Sequence, residues 1–161
     1  MLENLILLRH AKAEPQSPGG SDFERVLTHE GEHDAERIGK LLSDAGAKPT
    51  RIVSSPAVRA LATAERTLPA FGEIAVVQDA EVFEATPGGL LEVLARHRDT
   101  KQLLVVGHNP GLSELAGLLL YGRSEDLRSL PTAGYAWLAL NPDTPLEPGS
   151  AKLRRYGSAR A

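Results

Sequence analysis

Leu5-Ile6-Leu7-Leu8-Arg9-His10-Ala11 is the stretch on which the reading of this chain turns. Four aliphatic residues in succession fit a short strand buried on both faces, as in a parallel sheet covered by helices. The run stops on two adjacent polar residues, Arg9 and His10. In open α/β sheets, ligands bind beyond the carboxyl ends of the strands. A guanidinium beside an imidazole at such an end can handle an anion, a fixed positive charge standing next to a nucleophile or base.

The remaining composition agrees with an ordinary globular protein. The chain has 161 residues, 24% of them charged and 42% hydrophobic, which suits one domain over residues 1–161 with a sizeable core. Aromatic residues make up only 4%, so aliphatic side chains must fill that core. A net charge of −3 speaks against general nucleic-acid binding, which needs a basic face. Cysteine is absent, and with it disulfides, thiolate metal sites and thiol catalysis. The start, Met1-Leu2-Glu3-Asn4, lacks a basic leader region, and the apolar run is too short for a signal peptide or a membrane span. A cytoplasmic enzyme without membrane or nucleic-acid partners is the expectation.

Strand and helix signals then alternate. Residues 14–22 read as a Pro/Gly/Ser loop. Thr28 caps a helix to about residue 45, with Gly46 just past its end and Ala35, Ile38, Leu41, Leu42 and Ala45 on one face. Residues 51–54 form a second strand. Ser55 caps the next helix with Pro56 at its first position, Ala57, Leu61, Ala64 and Leu68 form its stripe, and Pro69 ends it or nearly so. Residues 75–77 make a short strand near an edge, and residues 79–85 a loop carrying Glu81 and Glu84. Thr86 and Pro87 open a helix to about residue 98. Residues 102–107 are the clearest buried strand, and Asn109 and Pro110 cap a helix over 111–121. A turn at 131–134 precedes strands at 135–140 and 152–156. With no helix between them, those two pair antiparallel. The whole predicts a three-layer α/β/α sandwich with a mostly parallel central sheet.

Three strands thus end in polar residues just ahead of a helix: Arg9-His10, Ser54-Ser55-Pro56 with Arg59 one turn on, and Gly107-His108-Asn109-Pro110. If the strands are parallel, all three ends share one sheet edge. Helix starts add free backbone N–H groups and a positive dipole end. Arg59, His108 and Asn109 each have a bland reading alone: exposed helix residue, turn histidine, helix cap. Their convergence describes a pocket for an anion the size of phosphate.

Leu-Arg-His-Ala, Ser-Ser-Pro-Ala-x-Arg-Ala-x-x-Thr-Ala and Val-Val-Gly-His-Asn-Pro, in this order, resemble the histidine phosphatase (phosphoglycerate mutase-like) superfamily and within it the small SixA-type phosphohistidine phosphatases. Glu24-Arg25-Val26-Leu27-Thr28-x-x-Gly31 and Pro131-Thr132 add to the likeness, which covers nearly the whole chain. Many members carry Arg-His-Gly where Ala11 stands here, which makes some small-molecule branches less fitting. The resemblance implies that His10 is the nucleophile taking the phosphoryl group. Arg9 and Arg59 would clamp its oxygens, His108 would bind and stabilise it, and Asn109 would join the phosphate-binding set. It places the proton donor at Glu84, with Glu81 as the alternative and a solvated loop carboxylate as the bland reading.

Elementary physics fits those roles. Phosphoryl transfer depends on positioning and charge stabilisation. At ~4 Å and an effective dielectric of ~20, a unit-charge pair interacts by about 4 kcal/mol. Cationic neighbours also disfavour a protonated His10, leaving a lone pair free at neutral pH. No metal or cofactor is called for. One motif points elsewhere: His29-Glu30-Gly31-Glu32-His33 matches the zinc-protease pattern H-E-x-x-H. A glycine in its middle and the lack of a third ligand favour an exposed polar face, and His97, near a helix end, is given no catalytic role. The expectation is a metal-independent phosphatase of signal transduction, acting on phosphohistidine in a partner such as a phosphotransfer domain and releasing inorganic phosphate. The chain has little length for the insertions that cover the site in larger members. A small-molecule phosphomonoesterase and a non-catalytic phosphate- or phosphohistidine-binding module are the alternatives.

Overall fold

A computed structural model describes residues 1–124 and 129–160. The aliphatic run forms β1 (Asn4–Arg9), which lies inside a six-stranded sheet. On one side it pairs in parallel with β4 (Gln102–Gly107), Leu5 opposite Leu103 and Arg9 opposite Gly107. β4 pairs in parallel with β2 (Arg51–Ser54), and β2 with the short edge strand β3 (Val76–Gln78). On its other side β1 pairs antiparallel with β5 (Gly134–Ala139), which pairs antiparallel with β6 (Lys152–Ser158). The order is β3-β2-β4-β1-β5-β6. The parallel strands β1, β2 and β4 therefore end on one edge, as the expected convergence requires.

Both faces of the sheet are covered, which is why β1 and β4 show no polar alternation. Ile6, Leu8, Ile52, Leu104 and Val106 pack under α1 (His29–Asp44) and α2 (Val58–Phe71). Leu5, Leu7, Val53, Leu103 and Val105 pack under α3 (Pro87–Arg96) and α4 (Gly111–Tyr121). Fully burying one such leucine or isoleucine is worth about 1.5–3 kcal/mol. The Thr28 hydroxyl accepts from the Gly31 amide, and the Thr86 hydroxyl from the Gly89 amide, so both threonine caps stand as read. Among the described residues, no helix is long and apolar enough to cross a membrane.

Three local expectations need correction. α2 begins at Val58 with Ala57 as its cap, not at Ser55 and Pro56. Its buried face holds Arg59, Ala60, Thr63, Ala64 and Thr67, while Leu61 and Leu68 are only half-buried. The threonines tolerate burial because their hydroxyls donate to the Arg59 and Ala64 carbonyls. The end of α2 agrees more closely: Pro69 lies in the last turn and the helix stops two residues later, at Phe71. α3 stops at Arg96, two residues before the expected end.

Candidate active site

β1 delivers His10 to the sheet edge, and the backbone holds it on both sides. Its amide donates to the Gly107 carbonyl (3.1 Å) and its carbonyl accepts from the Ala133 amide (3.1 Å). The Ala11 amide then donates to the Thr63 hydroxyl (3.0 Å), tying the segment after β1 to α2. The His10 ring is 7% exposed. Its Nδ1 lies 2.8 Å from the Ala11 carbonyl, which can only accept, so Nδ1 carries the proton. Nε2 is left with its lone pair, facing the Arg59 Nε–H at 3.4 Å.

Arg59, on the first turn of α2, is buried, 6% exposed. Besides His10 it meets Asp22, donating to its carbonyl (2.7 Å) and to its carboxylate (3.1 Å). Arg25 donates to the other oxygen of that carboxylate (2.8 Å), and the two guanidinium bonds hold the Asp22 carboxyl below its ordinary range. His108, just past β4, sits with its ring centre 5.2 Å from that of His10. Its Nε2 is 2.8 Å from the Ser55 hydroxyl, which also accepts from the Ala57 amide. Arg9 donates to the Leu130 carbonyl (3.1 Å). Asn109 donates to the same carbonyl (2.7 Å) and to the Ser129 hydroxyl, and it accepts from Ser113. It therefore fastens residues 129–130 instead of capping α4 with its side chain. The Arg9 Nε and the His108 Nδ1 are buried and have no hydrogen-bond partner among the described residues.

Electrostatics keep both histidines neutral. Burial, with the charge of Arg59 and Arg9 behind it, lowers His10 from 6.5 to about 4. Burial, then His10 and Arg59, lowers His108 to about 3. The sequence reading credits the cations with the neutrality of His10, whereas desolvation comes first. Burial and then Arg59 also push Arg9 down. The sign for stability follows. An unfolded histidine takes a proton near 6.5, so below that pH the unfolded chain binds protons that the fold refuses. The stability contributed by the neutral rings is complete above about 6.5 and is lost as pH falls toward 4. Urea unfolding at stepped pH should show a midpoint that drops between pH 7 and 5, and a shallower drop in His10→Gln. Parallel curves for the two proteins would contradict a neutral, buried His10.

Above this floor lies a cavity of about 460 Å³ whose lining includes Asp22, Arg59, Phe83, Glu84 and His108. Glu84 is exposed at the rim and holds the left-handed φ of 57°. Such strain in a residue other than glycine clusters at functional sites. α4 comes close here: a Cβ on Gly111 would stand 2.4 Å from the Ala85 carbonyl oxygen, so only glycine lets the helix support this loop. Glu81 turns away and pairs with Arg96 at 3.3 Å. A larger groove, about 610 Å³, runs between α1 and α2 past Lys40, Glu65 and Arg66, but its lining has no histidine or hydroxyl side chain and, among the described residues, no buried donor without a partner.

The structure thus brings together Arg9, His10, Arg59, His108, Asn109 and Glu84. Sequence reasoning misses Asp22, which lies 37 positions from Arg59 in an unpatterned loop, and Ser55 as the partner of His108. The zinc-protease pattern has a packing explanation. His29 is fully exposed beside Glu32, His33 is exposed, and a Cβ on Gly31 would stand 2.1 Å from the Lys12 carbonyl oxygen. Among the described residues, no three His, Asp or Glu side chains gather about one point.

A family model, the histidine phosphatase superfamily (branch 1), matches residues 5–90. An uncharacterized chloroplastic protein of Arabidopsis thaliana is 30% identical over 131 residues, 71% of this chain and 58% of that protein. The chain therefore spans under two thirds of the length of this curated relative. A protein of Agrobacterium tumefaciens assigned as the phosphohistidine phosphatase SixA is 30% identical in sequence, and its crystal structure superposes with a TM-score of 0.83 over 97% of both chains. An Escherichia coli K-12 protein assigned as an α-ribazole-5′-phosphate phosphatase shares 18% identity with a TM-score of 0.76, over 99% of this chain and 98% of its own. That second likeness is one of fold.

Proposed function

This chain belongs to the histidine phosphatase superfamily, branch 1, and on that premise we propose that it is a phosphatase whose nucleophile is His10 and whose substrate is phosphohistidine on a protein. One observation carries the reading: a neutral imidazole with Nδ1 tied to the Ala11 carbonyl and the Nε2 lone pair turned toward a buried guanidinium. The likeness to the Agrobacterium protein supports the substrate class. So does a site whose floor, His10 and Arg59, is buried while Asp22 and Glu84 at its rim are exposed. A side chain projecting from a partner can reach such a floor.

In the first step, Nε2 of His10 forms a bond to phosphorus as the bond to the substrate's imidazole nitrogen breaks. That nitrogen leaves with the electron pair and a proton, from solvent or from Glu84. In the second step, water attacks the phosphorylated His10, inorganic phosphate departs and the neutral imidazole returns. Arg9, Arg59 and His108 stabilise the equatorial oxygens through donors fixed before the reaction begins. Asn109 holds the Leu130 carbonyl and, through it, Arg9. With two arginines at the phosphoryl group, no step calls on a metal ion.

The test turns on Glu84. An alkoxide leaving group needs a proton in the transition state, and general acid catalysis is worth about 10²–10⁴ there. Imidazole is a far better leaving group and leans less on an enzymic acid. The kcat/KM of Glu84→Gln should therefore fall by about 10²–10⁴ on an alkyl phosphate and by much less on a phosphorylated phosphotransfer domain. Wild type should favour the phosphohistidine protein. Turnover of alkyl phosphates alone would establish the small-molecule phosphomonoesterase instead, and tight phosphate binding without release would establish a binding module.

A further inference from the structure

We infer that Phe83, backed by Phe23, is the surface that recognises the leaving group, and that it fits a flat aromatic ring such as imidazole better than an alkyl or sugar group. The inference rests on the phosphatase reading of the site and adds to it the part that chooses the substrate. Four rings climb from the floor to the surface. The His10 and His108 centres are 5.2 Å apart, Phe83 meets His108 edge-on at 5.4 Å and 82°, and Phe23 meets Phe83 edge-on at 5.2 Å and 83°. Each of the phenylalanine contacts is the edge-to-face arrangement that ring quadrupoles favour.

Packing does not account for the two phenylalanines. Neither belongs to the hydrophobic cluster on either face of the sheet. The inward residue of the turn before Phe83 is Val82, which is in the core, whereas Phe83 itself lines the cavity. Phe23 is 37% exposed, in a chain with three phenylalanines and 4% aromatic residues overall. Phe83 in the cavity wall and Phe23 packed edge-on against it form an apolar surface placed for contact. A phosphoryl group on Arg59 and His108 holds its substituent against these walls, where Phe83, Ala85, Pro87 and Pro110 present carbon. A sugar would leave its hydroxyls facing that carbon. An imidazole can lay its ring on Phe83 and turn its N–H to Glu84, the next residue.

The test uses ligands that are not turned over, so that it stands apart from the chemistry. Affinities of phenylphosphonate and methylphosphonate are measured by titration calorimetry on wild type, Phe83→Leu and Phe83→Tyr. An aromatic contact of this kind is worth about two- to tenfold in affinity. Wild type should prefer phenylphosphonate by about tenfold. Phe83→Leu, which keeps the apolar bulk but not the ring, should lose most of that preference with methylphosphonate unchanged. Phe83→Tyr should retain it. If Phe83→Leu does not fold, the exposed Phe23→Leu should show a smaller loss of the same preference, and an undiminished preference there would overturn the proposal. No preference in wild type, a preference that survives in Phe83→Leu, or an equal loss for both ligands would overturn it as well. Turnover of a phosphohistidine protein is followed in parallel. Its failure in wild type would sink the phosphohistidine reading, while the phosphonate ratio would still decide the role of Phe83.

Discussion

His10→Ala is expected to lose turnover completely while the protein stays folded. What holds residue 10 in place is its backbone, through the Gly107 carbonyl and the Ala133 amide, and alanine keeps both bonds. The ring lies outside both hydrophobic clusters, against Arg59 and His108, which line the cavity, so its removal takes nothing from the packed apolar core. The chemistry has no substitute. His108 is the other imidazole at the site, but its Nε2 is engaged by Ser55 and the buried Arg59 points its Nε at His10. Wild type mixed with labelled substrate and quenched in base should carry acid-labile, base-stable label on His10, and the variant none. Residual turnover in the alanine variant at the wild-type level would end the covalent mechanism. A melt that collapses with the activity would mean that residue 10 is structural.

The parts of the molecule that were legible in the sequence are those decided locally or by burial. Leu5–Leu8 and Leu103–Val106 read as buried strands because helices cover both faces, and that leaves a run without alternation. Thr28 and Thr86 read as caps because a cap needs only its own next few residues. Arg9, His10, Arg59 and His108 converge because three parallel strands end on one edge, and alternating strands and helices imply that geometry.

What failed is what distant contacts decide. Ser55-Pro56 has the local form of a cap followed by a first-turn proline. Yet the Ser55 hydroxyl is 2.8 Å from His108, 53 positions away, and α2 starts only after it. Asn109 has the form of a cap as well, and its side chain is taken up by Ser113, Ser129 and Leu130. The apolar pattern of α2 points to Ala57, Leu61, Ala64 and Leu68, but of these the helix buries only Ala64, beside Ala60, Thr63, Thr67 and Arg59, whose polar atoms find partners within the fold. Nothing in the composition of residues 14–22 tells which carboxylate would meet Arg59. The neutrality of His10 follows first from burial, a property of the packed site and only secondarily of its charged neighbours.

Arg59→Ala should cost about 10²–10³ in rate and most of the affinity for phosphate. The size follows from how this guanidinium is held. It is 6% exposed, and three of its nitrogens are directed at once, Nε to His10 and the two terminal ones to Asp22. A donor fixed in this way needs no reorganisation when charge develops on the transferring group. Asp22 is the anion on this fork in the absence of substrate, and a phosphoryl group has the charge and the oxygens to compete for it. Arg59→Lys should recover only part of the loss. An ammonium restores the charge, but it cannot point one N–H at His10 and two more at an anion in a single plane. Binding is checked without substrate by thermal unfolding in phosphate. At a hundred times the dissociation constant, wild type should gain about 2.7 kcal/mol, whereas Arg59→Ala should gain almost nothing at the same concentration. Rate and affinity should fall together, since the same donors hold the bound phosphoryl group and its transition state. An Arg59→Ala protein that binds phosphate as wild type does would leave Arg59 as a structural partner of Asp22. The anion site would then have to be built from Arg9 and His108, whose buried Nε and Nδ1 have no partner among the described residues.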